Sequence, residues 1–127
     1  MSIATDMEQG AVLKNAGVDP ATADMHYIWV WDSAVENKKK WILQVGMSRS
    51  KDDKPAWSLD KLVELLCCDR RVDVYFNHVG NEWICYWIRK REGIQTVLSR
   101  AERTKVAAAF LVLRDLIKSR EIEIGGK

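Results

Sequence analysis

Pro55-Ala56-Trp57-Ser58-Leu59-Asp60-Lys61-Leu62-Val63-Glu64-Leu65-Leu66, then Arg71-Val72-Asp73-Val74-Tyr75-Phe76, then Glu82-Trp83-Ile84-Cys85-Tyr86-Trp87-Ile88, is the stretch that decides the fold. Ser58 stands just before a helical pattern, where its hydroxyl can accept from an unpaired N–H of the first turn, and Asp60 suits the positive end of the helix. Leu59, Leu62, Val63, Leu65 and Leu66 supply a buried stripe at helical spacing. The helix ends near Cys67–Asp69. Val72, Val74 and Phe76 then alternate with Asp73, Tyr75 and Asn77, the period of a half-buried strand. Asn77 to Asn81 forms the hairpin loop. The returning strand is apolar on both sides, with Trp83, Cys85 and Trp87 on one face and Ile84, Tyr86 and Ile88 on the other, which places it at a sheet centre.

Outward from this unit, Asp6 to Ala16 reads as a short helix capped by Asp6 and stopped at Gly17. Asp19-Pro20 marks a turn, and residues 21–25 add one helical turn. Tyr27-Ile28-Trp29-Val30-Trp31 is β-branched and aromatic throughout and reads as a strand. Asp32 to Lys40 is a polar loop, Trp41 to Val45 a second strand closed by Gly46, and Met47 to Lys54 a mobile connection. On the other side, Arg91-Glu92-Gly93 turns the chain into a weaker strand, Ile94 to Leu98. Ser99-Arg100-Ala101-Glu102 fits a capping box for a last helix, whose buried face carries Val106, Phe110, Leu113 and Ile117. Residues 121–127 fray. The expected order is αββαβββα, with one antiparallel sheet of four to five strands and its helices segregated: an α+β domain.

Composition agrees with one soluble domain. The chain has 127 residues, 47% apolar and 30% charged, enough for a single core. Twenty Lys and Arg against 18 Asp and Glu leave a net charge of +2. That balance exerts no global pull toward nucleic acid or an anionic membrane. No apolar run approaches the ~20 residues of a membrane span, and no secretory signal is legible at the start of the sequence. Three cysteines, Cys67, Cys68 and Cys85, fit unpaired thiols in a reducing cytoplasm.

Two segments carry a resemblance. Thr22-Ala23-Asp24-Met25, and Pro55-Ala56-Trp57-Ser58-Leu59 with Leu62, Leu65 and Leu66, resemble a group of short proteins encoded by prophages and mobile elements of Bacteroides-type bacteria. The resemblance covers those segments and the order strand, helix, hairpin, helix. It implies an intracellular bacterial or phage protein of no established activity, and it carries over no functional residue. Where that group often has a proline after the Leu-Leu pair, this chain has Cys67-Cys68.

No constellation for chemistry is visible. Neither C-x-x-C nor H-x-x-x-H occurs, and His26 and His78 flank separate strands, so no metal or other cofactor is expected. Cys85, mid-strand between tryptophans, reads as a small core residue. Asp52-Asp53 lies in a polar loop. No phosphate-binding glycine motif is present. The expectation is therefore not an enzyme.

Two surfaces remain. Five of the six tryptophans fall in expected strands, and a single helical layer leaves apolar side chains on the uncovered sheet face. Tyr27, Trp29, Trp31, Trp41 and Tyr86 are the candidate interaction surface, for a homodimer or another protein. The alternative is a nucleic-acid-binding accessory protein, with Lys38, Lys39, Lys40, Arg89, Lys90 and Arg91 attracting phosphates beside aromatic platforms. Acidic residues such as Glu36 and Glu92 interleave with those clusters.

Overall fold

The Ser58 cap, the hairpin after it and the closing helix organise the chain. A computed structural model describes residues 3–31, 39–46, 53–67 and 71–120, with the backbone alone given for Trp31 and Lys39. The order is α1 (Met7–Asn15), a 3-10 turn (Pro20–Thr22), β1 (Met25–Trp31), β2 (Lys39–Val45), β3 (Lys54–Ala56), α2 (Leu59–Leu66), β4 (Val72–Val79), β5 (Glu82–Arg91), β6 (Ile94–Glu102) and α3 (Lys105–Lys118). The α+β class holds, with every strand pair antiparallel.

The sheet is not single. Two three-stranded sheets form, in the orders β2-β1-β3 and β4-β5-β6. The cause is β3, a strand that the polar look of Lys54-Pro55-Ala56 conceals. It pairs along β1, with Met25 opposite Ala56 and Tyr27 opposite Lys54. It thereby fills the edge that β1 would need to join the second sheet. Proline is tolerated there because β3 is an edge strand. The expected loops at 32–40 and 47–54 are shorter at their ends, since Lys39 and Lys40 belong to β2 and Lys54 to β3; residues 32–38, 47–52, 68–70 and the tail 121–127 lie outside the described residues.

Helix starts follow local chemistry at two of three sites. Asp6 accepts from the Gln9 N–H at 2.7 Å while the Gln9 side chain accepts from the Asp6 N–H at 3.0 Å, a complete capping box. Ser58 Oγ accepts from the Lys61 N–H at 3.2 Å. The third site corrects the sequence reading. Ser99 does not begin α3: β6 continues through Glu102, with Ser99 opposite Tyr86 and Arg100 opposite Cys85. Pairing along β5 outweighs the local capping pattern, and Thr104 caps the helix instead, accepting from Ala107 N–H at 3.0 Å. The β4–β5 connection is also tighter than expected, since Val79 already pairs with Glu82 across Gly80-Asn81. At the β5–β6 turn Glu92 and Gly93 take φ of +50° and +77°, the two-residue conformation that follows strand twist.

The main core lies between the second sheet and the helices. Leu62 and Leu66 of α2, Val106, Val112, Leu113 and Leu116 of α3, and Cys85 and Trp87 of β5 are buried together. Trp87 is fully buried, and its indole N–H donates to Leu66 O at 3.0 Å. That bond satisfies one of the carbonyls left open at the end of α2. The first sheet has a much smaller core of Ala4, Met25 and Ala56, with Tyr27 and Leu43 against it.

Trp57 joins the two halves. It is fully buried. Its backbone N–H donates to Thr5 Oγ1 at 3.1 Å, its carbonyl accepts from Thr5 N–H at 2.9 Å, and its indole donates to Thr22 Oγ1 at 3.0 Å. Beside it, Asp24 accepts from the Ser58 N–H at 2.8 Å and from the Ser58 hydroxyl. The two segments singled out for their resemblance therefore touch one another.

Candidate functional site

The second sheet has one covered and one open face. Alternation along β4 and β5 turns Val72, Val74, Phe76, Trp83, Cys85 and Trp87 toward α2 and α3, where the main core forms. The opposite face carries Asp73, Tyr75, Asn77 and Val79 from β4. It continues with Glu82, Ile84, Tyr86, Ile88 and Lys90 from β5, and Gln95, Val97, Ser99 and Ala101 from β6. No described helix packs on this side. Tyr75, Val79 and Val97 are each about half exposed, at 49%, 54% and 52%. At its centre the Tyr75 and Tyr86 rings stack, centroids 4.9 Å apart and planes 16° from parallel. Ile84 and Ile88 flank Tyr86 along β5 and are half-buried. The surface has an apolar and aromatic centre of Tyr75, Ile84, Tyr86, Ile88 and Val97, with Asp73, Asn77, Glu82, Lys90, Gln95 and Ser99 around it, and it is built on two tight hairpins.

The expected interaction residues divide between the two sheets. Tyr86 lies on the open face just described. Trp29 is 47% exposed on the first sheet, its ring 5.1 Å from that of half-buried Trp41 across β1 and β2. Tyr27 is half-buried: its hydroxyl donates to Thr5 O at 3.0 Å, and it packs on the smaller core. Burial, reinforced by Asp6, pushes the Tyr27 phenol above its ordinary pKa. The Trp31 side chain is outside the described residues. The expected surface omits Tyr75, Val79 and Val97. Alternation along β4 sets Tyr75 on the side opposite Val74 and Phe76, Val79 falls in the expected hairpin loop, and Val97 lies on β6.

The basic clusters are not gathered. Lys38 lies outside the described residues. Lys39 and Lys40 are on β2, opposite Trp31 and Val30, whereas Arg89, Lys90 and Arg91 end β5 in the other sheet. Alternation sends Lys90 to the open face and Arg89 and Arg91 to the other, where the Arg89 guanidinium lies 5.2 Å from the Trp87 ring centroid. Lys105 similarly sits 4.4 Å from the Trp83 ring centroid, closing one end of the covered side.

The remaining reactive groups are engaged structurally. His26, buried to 3% exposure, donates from Nδ1 to Gly46 O at 2.8 Å and places Nε2 3.8 Å from Asp53 Oδ2. A carbonyl only accepts, so Nδ1 carries the proton. The ring thus holds Gly46 and lies beside Asp53. Burial, with Cys67 nearby, pushes the Cys85 thiol up to about 12, away from nucleophilic use. Burial works against the Asp115 charge, but hydrogen bonds from Arg114 and Arg100 outweigh it and hold the carboxyl below its usual range. Among the described residues no group of three or more His, Cys, Asp or Glu comes together to hold a metal. No helix of the described residues is long and apolar enough to cross a membrane.

No protein family, curated protein or solved structure matches this chain.

Proposed function

We propose that this protein is a non-catalytic interaction module, an accessory protein of a mobile element or phage, that holds a protein partner on the open face of β4-β5-β6. The observation that carries the reading is the Tyr75–Tyr86 stack, set among Ile84, Ile88 and Val97 on a sheet face no described helix covers. Aromatic side chains suit that task because each buries a large area with few rotors to freeze and keeps a polar edge. The buried, high-pKa thiol of Cys85 supports the non-enzymatic side of the reading.

A photo-crosslinking residue at position 97, tested in cells that express the protein, should give covalent protein adducts. The same residue at position 29 should give few. No adduct from position 97 would sink the proposal, and adducts from position 29 alone would move the site to the first sheet. The nucleic-acid reading draws less support, because alternation divides Arg89, Lys90 and Arg91 between two faces. Its own test is a salt titration with single-stranded DNA or RNA. Binding that falls steeply with salt, and that weakens when Lys38, Lys39 and Lys40 become Gln, would favour it over the interaction reading.

A further inference from the structure

The charge pattern on the open face says which partner fits it. Along the central strand that face reads Glu82-Ile84-Tyr86-Ile88-Lys90. The sequence is a palindrome in shape about Tyr86 and an antipalindrome in charge. Both charged ends are exposed. The Arg71 carbonyl accepts from the Lys90 N–H at 3.1 Å, which extends the pairing of β4 with β5 to that end of the face.

Resting on the interaction reading above, we infer that the occupant of this face is a second copy of the same chain. The two faces pack with their β5 strands antiparallel, about a two-fold axis that passes over Tyr86 and runs across the strands. In that arrangement Glu82 of each copy lies over Lys90 of the other, Ile84 over Ile88, and Tyr86 over Tyr86. The flanking strands agree. Asp73 and Asn77 sit beside Ile88 and Ile84 respectively, so Asp73 faces Asn77 of the second copy, and no acid faces an acid. Val97 and Ala101 sit beside Ile88 and Ile84 on β6, so a large side chain faces a small one. Turning the axis to run along the strands instead sets Glu82 over Glu82 and Lys90 over Lys90, which repel. A two-fold contact of this kind closes on itself and stops at a dimer.

Size sets the strength. Three strands of about nine residues, ~4.8 Å apart with ~3.3 Å per residue, present on the order of 400 Å² in plan. That is the low end for a specific interface, so the dimer is reversible, with dissociation in the micromolar range or weaker. Face-to-face sheets cross at roughly 30°, a rotation that the long Glu82 and Lys90 side chains span at the ends of β5.

Sedimentation equilibrium of the full chain at low salt tests this directly. Wild type should dimerise reversibly. Glu82→Lys and Lys90→Glu should each weaken the dimer by about tenfold, since each breaks two symmetric pairs and creates like-charge contacts. The double exchange E82K/K90E should restore it. An equimolar mixture of the two single variants should associate more tightly than either alone, because each then supplies what the other lacks. Circular dichroism controls for folding, and both positions are exposed. A wild type that stays monomeric to about 1 mM overturns the inference, as does a double exchange as weak as the singles. A wild type that stays monomeric while position 97 still crosslinks to a protein of different mass overturns only the second-copy partner and leaves the interaction reading standing.

Discussion

At the scale of single residues, Gly10 shows how tightly α1 is laid down. A Cβ placed there would come within 2.4 Å of Pro55 O, a backbone atom of β3 that has no rotamer to escape by. Gly10→Ala gains about 1 kcal/mol of helix propensity. It should nevertheless destabilise the protein by about 1–3 kcal/mol, because the helix must lift off β3. Urea unfolding would check this, and a stabilised variant would contradict the close approach. Cys85 makes a pH-dependent prediction. Its folded-state pKa is raised from 9.0 to about 12, so between those values the unfolded chain gives up the proton first. The stability this thiol supports is complete below about pH 9 and declines as pH rises toward 12. Denaturant midpoints should therefore fall across that window in wild type, with a shallower fall in Cys85→Ala, and the folded thiol should resist alkylation at pH 8.

Among the elements, a cap and a core stripe have measurable consequences for stability. Thr104→Ala should cost about 1 kcal/mol, the usual worth of an N-cap. Ser99→Ala should cost little, because Ser99 lies within β6 and not at a helix start. Equal losses for both would argue against that boundary. Leu62 and Phe110 are 0% and 6% exposed, and Leu62→Ala or Phe110→Ala should cost about 2–5 kcal/mol in chemical denaturation. These elements also show what a sequence discloses. The Ser58 cap, the Asp6 cap and the Leu59–Leu66 stripe were legible because their partners lie within four residues, whereas the reciprocal Gln9 bond to Asp6 was not read. Ser99-Arg100-Ala101-Glu102 misled for the same reason: its local pattern was sound, but pairing with β5 decided the outcome. Thr104 gave a weaker signal, since Ala107 stands where a capping box would place Glu or Gln. Lys54-Pro55-Ala56 was illegible as a strand because only its tertiary neighbour β1 makes it one.

For the whole molecule, every strand but β3 was legible, and the division into two sheets was not. Nothing in Tyr27–Trp31 or Val72–Phe76 says which sheet each will enter. That choice rests on β3, whose pairing along β1 joins residues about 30 apart in sequence. The candidate surface was half legible in the same way: Tyr86 was visible as an aromatic on a two-faced strand, but its stacking partner Tyr75 depended on the β4–β5 register. The unequal cores predict unequal local stability. Among the described residues the buried core beneath the first sheet is Ala4, Met25 and Ala56, with Tyr27 and Leu43 against it, so that sheet should open more readily than β4-β5-β6. Native-state hydrogen exchange should show β1 and β2 amides exchanging faster than those of β5, and equal protection would contradict the division. The Thr5–Trp57 clamp has a kinetic counterpart. It joins residues 52 apart in the sequence, whereas the β4–β5 and β5–β6 hairpins close over two-residue turns. Short loops cost less entropy to close than long ones, so the hairpins and α3 should form the folding nucleus and the N-terminal segment should dock after the barrier. Thr5→Ala should then speed unfolding and leave the folding rate nearly unchanged, whereas Leu113→Ala should slow folding, a contrast that stopped-flow chevron plots would resolve.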